Sequence, residues 1–179
     1  MRVRDHILIS TAGAVLAAPF IGPGALSLWA GSVLIDADHY AWFCLQQRCL
    51  SPLAAVHFFN QAEPPHNSAT RALHSPAALL SVVLLGLRHR RLLPVALGMG
   101  LHVALDVHHM ARMDQARSAA LARDGCSCQA CGTTAAPVGA HLWRQPRLLP
   151  SYRAQNLISL CDPCHEAAHA RLRGPVSWI

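Results

Sequence analysis

The stretch NLISLCDPCHEAAH (156–169) decides how the C-terminal part of this 179-residue chain folds. It contains two cysteines in C-x-x-C spacing, Cys161 and Cys164, and a second such pair, Cys128 and Cys131, lies upstream. Zinc needs four soft ligands in tetrahedral geometry, and each tight C-x-x-C turn supplies two of them. The sequence therefore predicts a structural zinc (Zn²⁺), whose binding energy folds a module too small to build a sufficient core.

Histidines accompany the cysteine pairs. His165 and His169 are four positions apart, so a helix would place them on one face, where they could hold a divalent metal or form polar surface. His141 follows a strand-like segment, APVGAH (136–141), and Asn156 follows a loop. These residues are candidates for a second site beside the zinc.

The combination of C-x-x-C-G, a His before a Pro-containing loop, N-L-x-x-L-C-x-x-C-H and a final His resembles the zinc-stapled HNH endonuclease family, over about residues 112–172. The resemblance implies a ββα fold with one catalytic divalent metal, such as Mg²⁺, Mn²⁺ or Zn²⁺. It further implies that His141 is the general base and that Asn156 fixes the loop bearing it. His165 and His169 would then be ligands of the catalytic metal.

One position departs from that pattern. Ala140 stands before the base, where the family usually has a further metal ligand, His or Asp. Two histidines without a carboxylate bind a hard metal poorly. Two interpretations of the module therefore stay open: an active nuclease, or a zinc-stapled module that only binds.

The basic residues are concentrated in the same part of the chain. All fifteen are arginines and the formal net charge is +6, with eight arginines against four acids from residue 111 onward. A basic module favours nucleic acid, here DNA, although a solvated surface is the alternative. Arg144, Arg147 and Arg153 are the candidates for phosphate contacts near the site.

The first part of the chain is strongly apolar. Residues 7–35 carry no charged side chain, and PFIGPG (19–24) divides them into two halves, each too short to cross a bilayer. A second apolar pair, 75–87 and 92–105, is separated by RHRR (88–91). We expect helices embedded in a lipid bilayer, a bacterial inner membrane with the zinc module in the cytoplasm. A soluble helical bundle is the alternative.

Histidine and aspartate residues border these apolar segments. DADHY (36–40) follows the second segment, HS (74–75) precedes the third, and LHVALDVHH (101–109) closes the fourth. Ionisable residues at the ends of membrane helices indicate function, and His with Asp suits zinc or another divalent metal. Water-facing helix caps are the alternative.

The series D-x-D-H, H-S and H-x-x-x-D resembles the membrane-bound metal-dependent hydrolase family, over about residues 1–110. The family's Pro before the first Asp is Ile35 here, and its H-R-G before H-S is missing. The resemblance implies hydrolase activity and a set of candidate metal ligands. These are Asp36, Asp38, His39, His74, His102 and Asp106, with His6 as a further one.

Together these patterns predict a mainly α chain. Residues 1–110 form a multi-helix, membrane-embedded domain, 111–125 a linker helix, and 126–179 a small zinc-stapled ββα-metal (HNH-like) module. Three functions follow: an HNH-type nuclease tethered to the membrane, a membrane-embedded metal-dependent hydrolase with an accessory zinc module, or a non-catalytic membrane-anchored zinc and nucleic-acid-binding protein.

Overall fold

The computed structural model describes residues 3–59, 71–142 and 151–172, with side chains as far as residue 168. It divides into two compact units, Met1–Val107 and His108–Ile179. The described residues are mainly helical and include one two-stranded sheet, which confirms the expected mainly α class.

Among the described residues, six α-helices precede the sheet. They are α1 (Val3–Ile21), α2 (Gly24–Leu34), α3 (Ala37–Gln47), α4 (Pro52–Phe59), α5 (Pro76–Arg88) and α6 (Leu93–Arg123). The linker helix predicted at 111–125 is the C-terminal part of α6, which ends at Arg123, because its polar, Ala-rich sequence offers no break after the apolar part.

The breaks between helices follow local signals in the sequence. The PFIGPG segment ends α1 at Ile21, and Gly22 adopts the left-handed conformation (φ +53°) that glycine tolerates at a helix end. Ser75 caps α5, since its side chain accepts a hydrogen bond from the Ala78 amide, and Pro76 follows at the first helical position.

Small residues let α2 lie close against α6. A Cβ atom on Gly31 would lie 2.3 Å from the Val95 carbonyl oxygen, and one on Gly98 would lie 2.0 Å from the Leu28 carbonyl oxygen. Only glycine allows the two backbones to approach so closely. This contact brings the C-terminal part of α2 beside the first turns of α6.

The first unit exposes many apolar side chains. Phe20 is 87% exposed, Leu16 73% and Leu26 71%. One helical stretch, Arg90–Arg123, has the length and apolar composition to cross a membrane, and only 22% of its most apolar window is buried. By length and composition this stretch is a candidate membrane span.

The second unit adds a hairpin and a helix to the end of α6. Strands β1 (Val138–Leu142) and β2 (Leu157–Cys161) are antiparallel, and α7 (Asp162–Leu172) follows β2 directly. The register pairs His141 with Ile158. Strand, strand and helix thus follow in the order expected from the sequence.

Arg123 and Asp124 join the end of α6 to β2. The Arg123 guanidinium donates to the carbonyl oxygens of Ala154 at 2.8 Å and Leu157 at 2.9 Å. Asp124 accepts from the Ser159 amide at 3.1 Å and pairs with Arg123 at 2.6 Å. The hydrogen bond from Arg123 lowers the pKa of Asp124 to about 2.

Candidate metal centres

The four cysteines of the two C-x-x-C pairs come together in the second unit. Cys128, Cys131, Cys161 and Cys164 have all their sulfur atoms within 4.8 Å of one another, and the Cys131 and Cys161 sulfurs are 3.7 Å apart. Four sulfurs at a Zn–S distance of about 2.3 Å lie about 3.8 Å apart in a tetrahedron. This four-cysteine cluster can therefore hold a structural zinc, as the spacing predicts.

The local backbone shapes the four-cysteine cluster. The Gly132 amide donates to the Cys128 carbonyl at 2.7 Å, and the Cys128 amide donates to the Thr133 carbonyl at 2.9 Å. Gly132 has φ +77°, which favours glycine at the end of this tight turn. Cys161 ends β2 and Cys164 lies in the first turn of α7, so the second pair sits on a strand–helix junction.

The electrostatics of the cluster suit a bound cation. Hydrogen bonds from three backbone amides, of which that of Cys161 has the largest effect, lower the pKa of the Cys128 thiol to about 6. Hydrogen bonds with the neighbouring thiols, of which that with Cys161 has the largest effect, raise the pKa of the Cys164 thiol to about 12. Thiolates this close repel one another unless a cation lies among them.

The predicted HNH-like residues are partly brought together. The rings of His141 in β1 and His165 in α7 have centroids 4.7 Å apart. The Asn156 side-chain amide donates to the Ser151 hydroxyl at 2.7 Å, so its described partner lies in the segment before β2. Arg153 is exposed. The His169 side chain, Arg144 and Arg147 lie outside the described residues.

The described side chains near His141 form no group of three or more potential metal ligands. Within the described residues, neither His141 nor His165 belongs to any cluster of three or more His, Cys, Asp or Glu side chains. Ala140 instead packs against an apolar core of Ala116, Ala120 and Leu157. This face of β1 therefore packs against the core, at the position where the HNH family usually has a metal ligand.

A much denser cluster lies in the first unit. It joins α1, the α2–α3 junction, α3, the turn before α5, and α6 in three overlapping groups of potential ligands. The members of this His/Asp centre are His6, Asp36, Asp38, His39, His74, His102 and Asp106. All six ligands that the hydrolase resemblance implies, and the further candidate His6, are therefore in one place.

Three of these side chains form an inner triad: Asp36, His74 and His102. The Nε2 atoms of His74 and His102 are 3.3 Å apart, and Asp36 Oδ1 lies 3.4 Å from each. Ligand atoms at about 2.0–2.1 Å from a tetrahedral zinc would lie about 3.3 Å from one another. The triad thus fits one face of a zinc coordination tetrahedron.

Neighbouring groups orient the two triad histidines. His102 Nδ1 lies 2.7 Å from the Ser32 carbonyl oxygen, so it donates its proton there and leaves the Nε2 lone pair free for a metal. His74 Nδ1 lies 3.4 Å from Asp38 Oδ2, and Asp38 is fixed in turn by the Leu73 amide at 2.9 Å. Such outer partners are typical of metal-binding histidines.

His6 and Asp106 flank the triad on its other side. His6 Nε2 lies 3.0 Å from Asp106 Oδ1, and the His6 ring stacks on His102 with centroids 4.1 Å apart. Both histidines are buried, His102 completely. His102 offers one free Nε2 atom, so His6 and Asp106 either support the triad or hold a second ion beside it.

Without a metal, hydrogen bonds between the histidine and aspartate side chains set the pKa values in this centre. Burial by itself would lower the pKa of His74, but hydrogen bonds with Asp36 and Asp38 outweigh it and raise that pKa to about 9. Burial by itself would raise the pKa of Asp36, but the His74 hydrogen bond and nearby histidine charges lower it. Burial lowers the pKa of His39, which is therefore neutral at pH 7.

Two contributors were not among the residues predicted for the site. Ser32 supplies a backbone carbonyl, and it lies one helical turn before Asp36, a spacing that could have pointed to it. Arg71 Nη2 lies 3.7 Å from Asp106 Oδ2. Nothing in the spacing around Arg71 indicates this contact, because it depends on how α6 packs.

Comparison of the chain with family models, with curated proteins and with solved structures gives no match. Function is therefore inferred from the geometry of the two centres.

Proposed function

We propose that the chain is a membrane-embedded, metal-dependent hydrolase whose reaction takes place at the His/Asp centre of the first unit. One observation carries the proposal: the Asp36, His74 and His102 donor atoms are spaced at 3.3–3.4 Å, as ligands of one tetrahedral ion would be. Three protein ligands leave a fourth position for water or substrate, which is the arrangement of catalytic zinc sites.

The surrounding residues have separable tasks. A divalent ion held by the triad supplies a Lewis acid and lowers the pKa of water. Ser32 and Asp38 keep the histidine rings in position through their Nδ1 atoms. His39, neutral at pH 7 and with its Nε2 3.6 Å from Asp36 Oδ1, is placed to accept the proton that the attacking water loses.

The four-cysteine cluster is proposed as a structural zinc site that accompanies this enzyme. Four cysteines close the coordination sphere and leave no position for water, which is the pattern of structural rather than catalytic sites. Its ligands lie on the turn, strand and helix that make up the second unit. The zinc would therefore hold this unit together.

The apolar surface supports the membrane part of the proposal. Leu16, Phe20 and Leu26 are each more than two-thirds exposed, and so is Leu53 at 82%. Exposed apolar area on this scale costs free energy in water, and a bilayer removes the cost. Asp36 and His74 lie between helices, so they would then be where the apolar segments meet polar surroundings.

Ester hydrolysis by the detergent-solubilised full chain, loaded with zinc, tests the proposal. Asp36→Asn keeps the shape of the side chain but removes its charge, and we expect hydrolysis to fall at least about 100-fold because the triad loses an anionic ligand. Asp114→Asn is the matched control, since Asp114 is exposed on α6 and belongs to none of the groups of potential metal ligands found among the described residues. Equal hydrolysis by both variants would contradict the proposal.

A second candidate function is an HNH-type nuclease acting on DNA. The contact between the His141 and His165 rings favours it, because a general base and a metal ligand would have to be neighbours. His141→Ala should then abolish DNA cleavage while the zinc of the four-cysteine cluster stays bound. If metal-loaded wild-type protein does not cleave DNA, the second unit serves for binding or structure only.

A further inference from the structure

Arg71 presents a guanidinium group to the His/Asp centre. It lies in the turn that carries His74, and its side chain is about one-third exposed. Its Nη2 atom is 3.7 Å from Asp106 Oδ2, beyond hydrogen-bond distance. Its Nε atom is buried and has no hydrogen-bond partner among the described residues.

A buried donor without a partner costs free energy, so its retention calls for an explanation. Arg71 is not needed as a hydrogen-bond partner of the carboxylates, because the histidines and the Leu73 amide already contact Asp36, Asp38 and Asp106. The guanidinium therefore has donors left for a molecule that enters the centre.

Once a metal is bound, an incoming molecule would meet two cationic groups, the metal and the Arg71 guanidinium. Asp106 lies between the guanidinium and the triad, since its Oδ2 atom is 3.7 Å from Arg71 Nη2 and 3.6 Å from His102 Nε2. An anion could contact the metal and the guanidinium together. Arginine's planar fork matches two oxygens of a phosphate, whereas the carbonyl of a carboxylic ester is neutral and needs no such group.

Resting on the hydrolase function proposed above, we infer that Arg71 binds a non-bridging phosphoryl oxygen and that the substrate is a phosphoester. For a diester, the oxygen of water bonds to phosphorus and the ester P–O bond to the leaving group breaks. One water proton ends on the leaving alcohol, and the other product is a phosphomonoester. Arg71 keeps its charge throughout and stabilises the negative charge on the phosphoryl oxygens.

Inorganic phosphate binding tests the site without requiring turnover. Titration calorimetry of phosphate into the zinc-loaded full chain compares wild type with Arg71→Gln and with the control Arg88→Gln, which removes the same charge from the exposed end of α5. Arg71→Gln should weaken binding about 10- to 100-fold, the usual effect of one charge-assisted hydrogen bond, and Arg88→Gln should leave it unchanged.

Two results would overturn the inference. One is equal phosphate affinity in wild type and Arg71→Gln. The other is loss of zinc from Arg71→Gln, measured by elemental analysis, which would make Arg71 a support of the metal centre. Arg71→Lys serves as the conservative variant, and it should keep the zinc and recover only part of the affinity because a lysine offers no bidentate fork.

Hydrolysis assays separate this inference from the hydrolase function itself. Bis(4-nitrophenyl) phosphate, a phospholipid in mixed micelles and 4-nitrophenyl acetate are compared. Arg71-dependent hydrolysis of either phosphoester supports the inference, and the preferred one shows whether the phosphoester belongs to a lipid or to a soluble molecule. Hydrolysis of the acetate alone overturns it and leaves the hydrolase standing. Arg71-dependent phosphate binding without any hydrolysis would refute the proposed hydrolase function, whereas the anion-binding site at Arg71 would stand.

Discussion

The two candidate metal centres of this chain are built in opposite ways. The four cysteines come in two pairs, each pair on a single turn, and they are a large part of what the second unit buries: Cys128 and Cys161 form one of its two core clusters with Leu160. The His/Asp ligands come from five separate segments, which packed helices hold in place.

The difference lies in what the metal does for the fold. In the second unit, little apolar core exists among the described residues apart from the cysteines, so zinc binding supplies much of the folding free energy. In the first unit, the contact of α2 with α6 and the bond from His102 to Ser32 require no metal. On the proposed assignment, a metal would fold the second unit, whereas the fold of the first unit would prepare its metal site.

The largest expected effect is on the second unit. Cys161→Ser should release the zinc and unfold the hairpin and α7, since structural zinc contributes about 10–16 kcal/mol in small zinc modules. Limited proteolysis with mass spectrometry measures the loss of protected fragments. Cys126→Ser is the control, because Cys126 is exposed and lies outside the cluster. Equal protection in the two variants would mean that the core alone holds this unit.

The matching change in the first unit should separate metal binding from folding. Asp36→Asn should weaken zinc binding there at least about 100-fold, yet leave the helical content of the unit unchanged. Competition with a chromophoric chelator measures the affinity, and circular dichroism measures the helix. Unfolding of the first unit in Asp36→Asn would erase the contrast between the two centres.

A change of one methyl group tests the helix contact that positions His102. Gly98→Ala places a Cβ atom 2.0 Å from the Leu28 carbonyl oxygen and should lower the free energy of unfolding by about 1–3 kcal/mol, since the helices must separate. Gly100→Ala meets nothing within 4 Å and should stabilise the same helix by about 0.5–1 kcal/mol. Thermal melts of both variants give the comparison, and identical melting temperatures would refute the close contact.

The smallest expected effect concerns the ion pair at the end of α6. The pKa of Asp124 is lowered to about 2, so its carboxylate stabilises the folded state above about pH 4 and stops doing so as the pH falls towards 2. At pH 7, Asp124→Asn should cost about 1 kcal/mol, because solvent screens the part-exposed Arg123. A double-mutant cycle with Arg123→Gln measures the coupling, and additive losses would show that the pair contributes nothing.

The sequence predicted the four-cysteine cluster well because its geometry is local. A C-x-x-C turn places two sulfurs together whatever the rest of the chain does. Only the approach of the pair Cys128 and Cys131 to the pair Cys161 and Cys164 depends on the fold. The apolar runs likewise predicted α1, α2 and α5, because Pro and Gly residues separate α1 from α2 and Ser75 with Pro76 begins α5.

The His/Asp centre was predictable only as a set of residue types. His102 and Asp106 share a helix face by spacing, but their distances to Asp36 and His6 depend on glycine contacts between helices. The position of Arg71 followed from no pattern, since a single arginine in a turn can point anywhere. The sequence also did not predict that Ala140 packs against the apolar core, although an alanine at this position showed that the metal ligand usual in the HNH family is absent.

Zinc X-ray absorption on the full chain tests most directly whether two different centres exist. We expect two zinc ions per chain and a first shell of mixed character, with sulfur at about 2.3 Å and nitrogen or oxygen at about 2.0–2.1 Å. In Asp36→Asn the nitrogen and oxygen shell should disappear while the sulfur shell remains. A single zinc per wild-type chain with a purely sulfur shell would refute the proposed metal site in the first unit, because the His/Asp centre would then bind no metal.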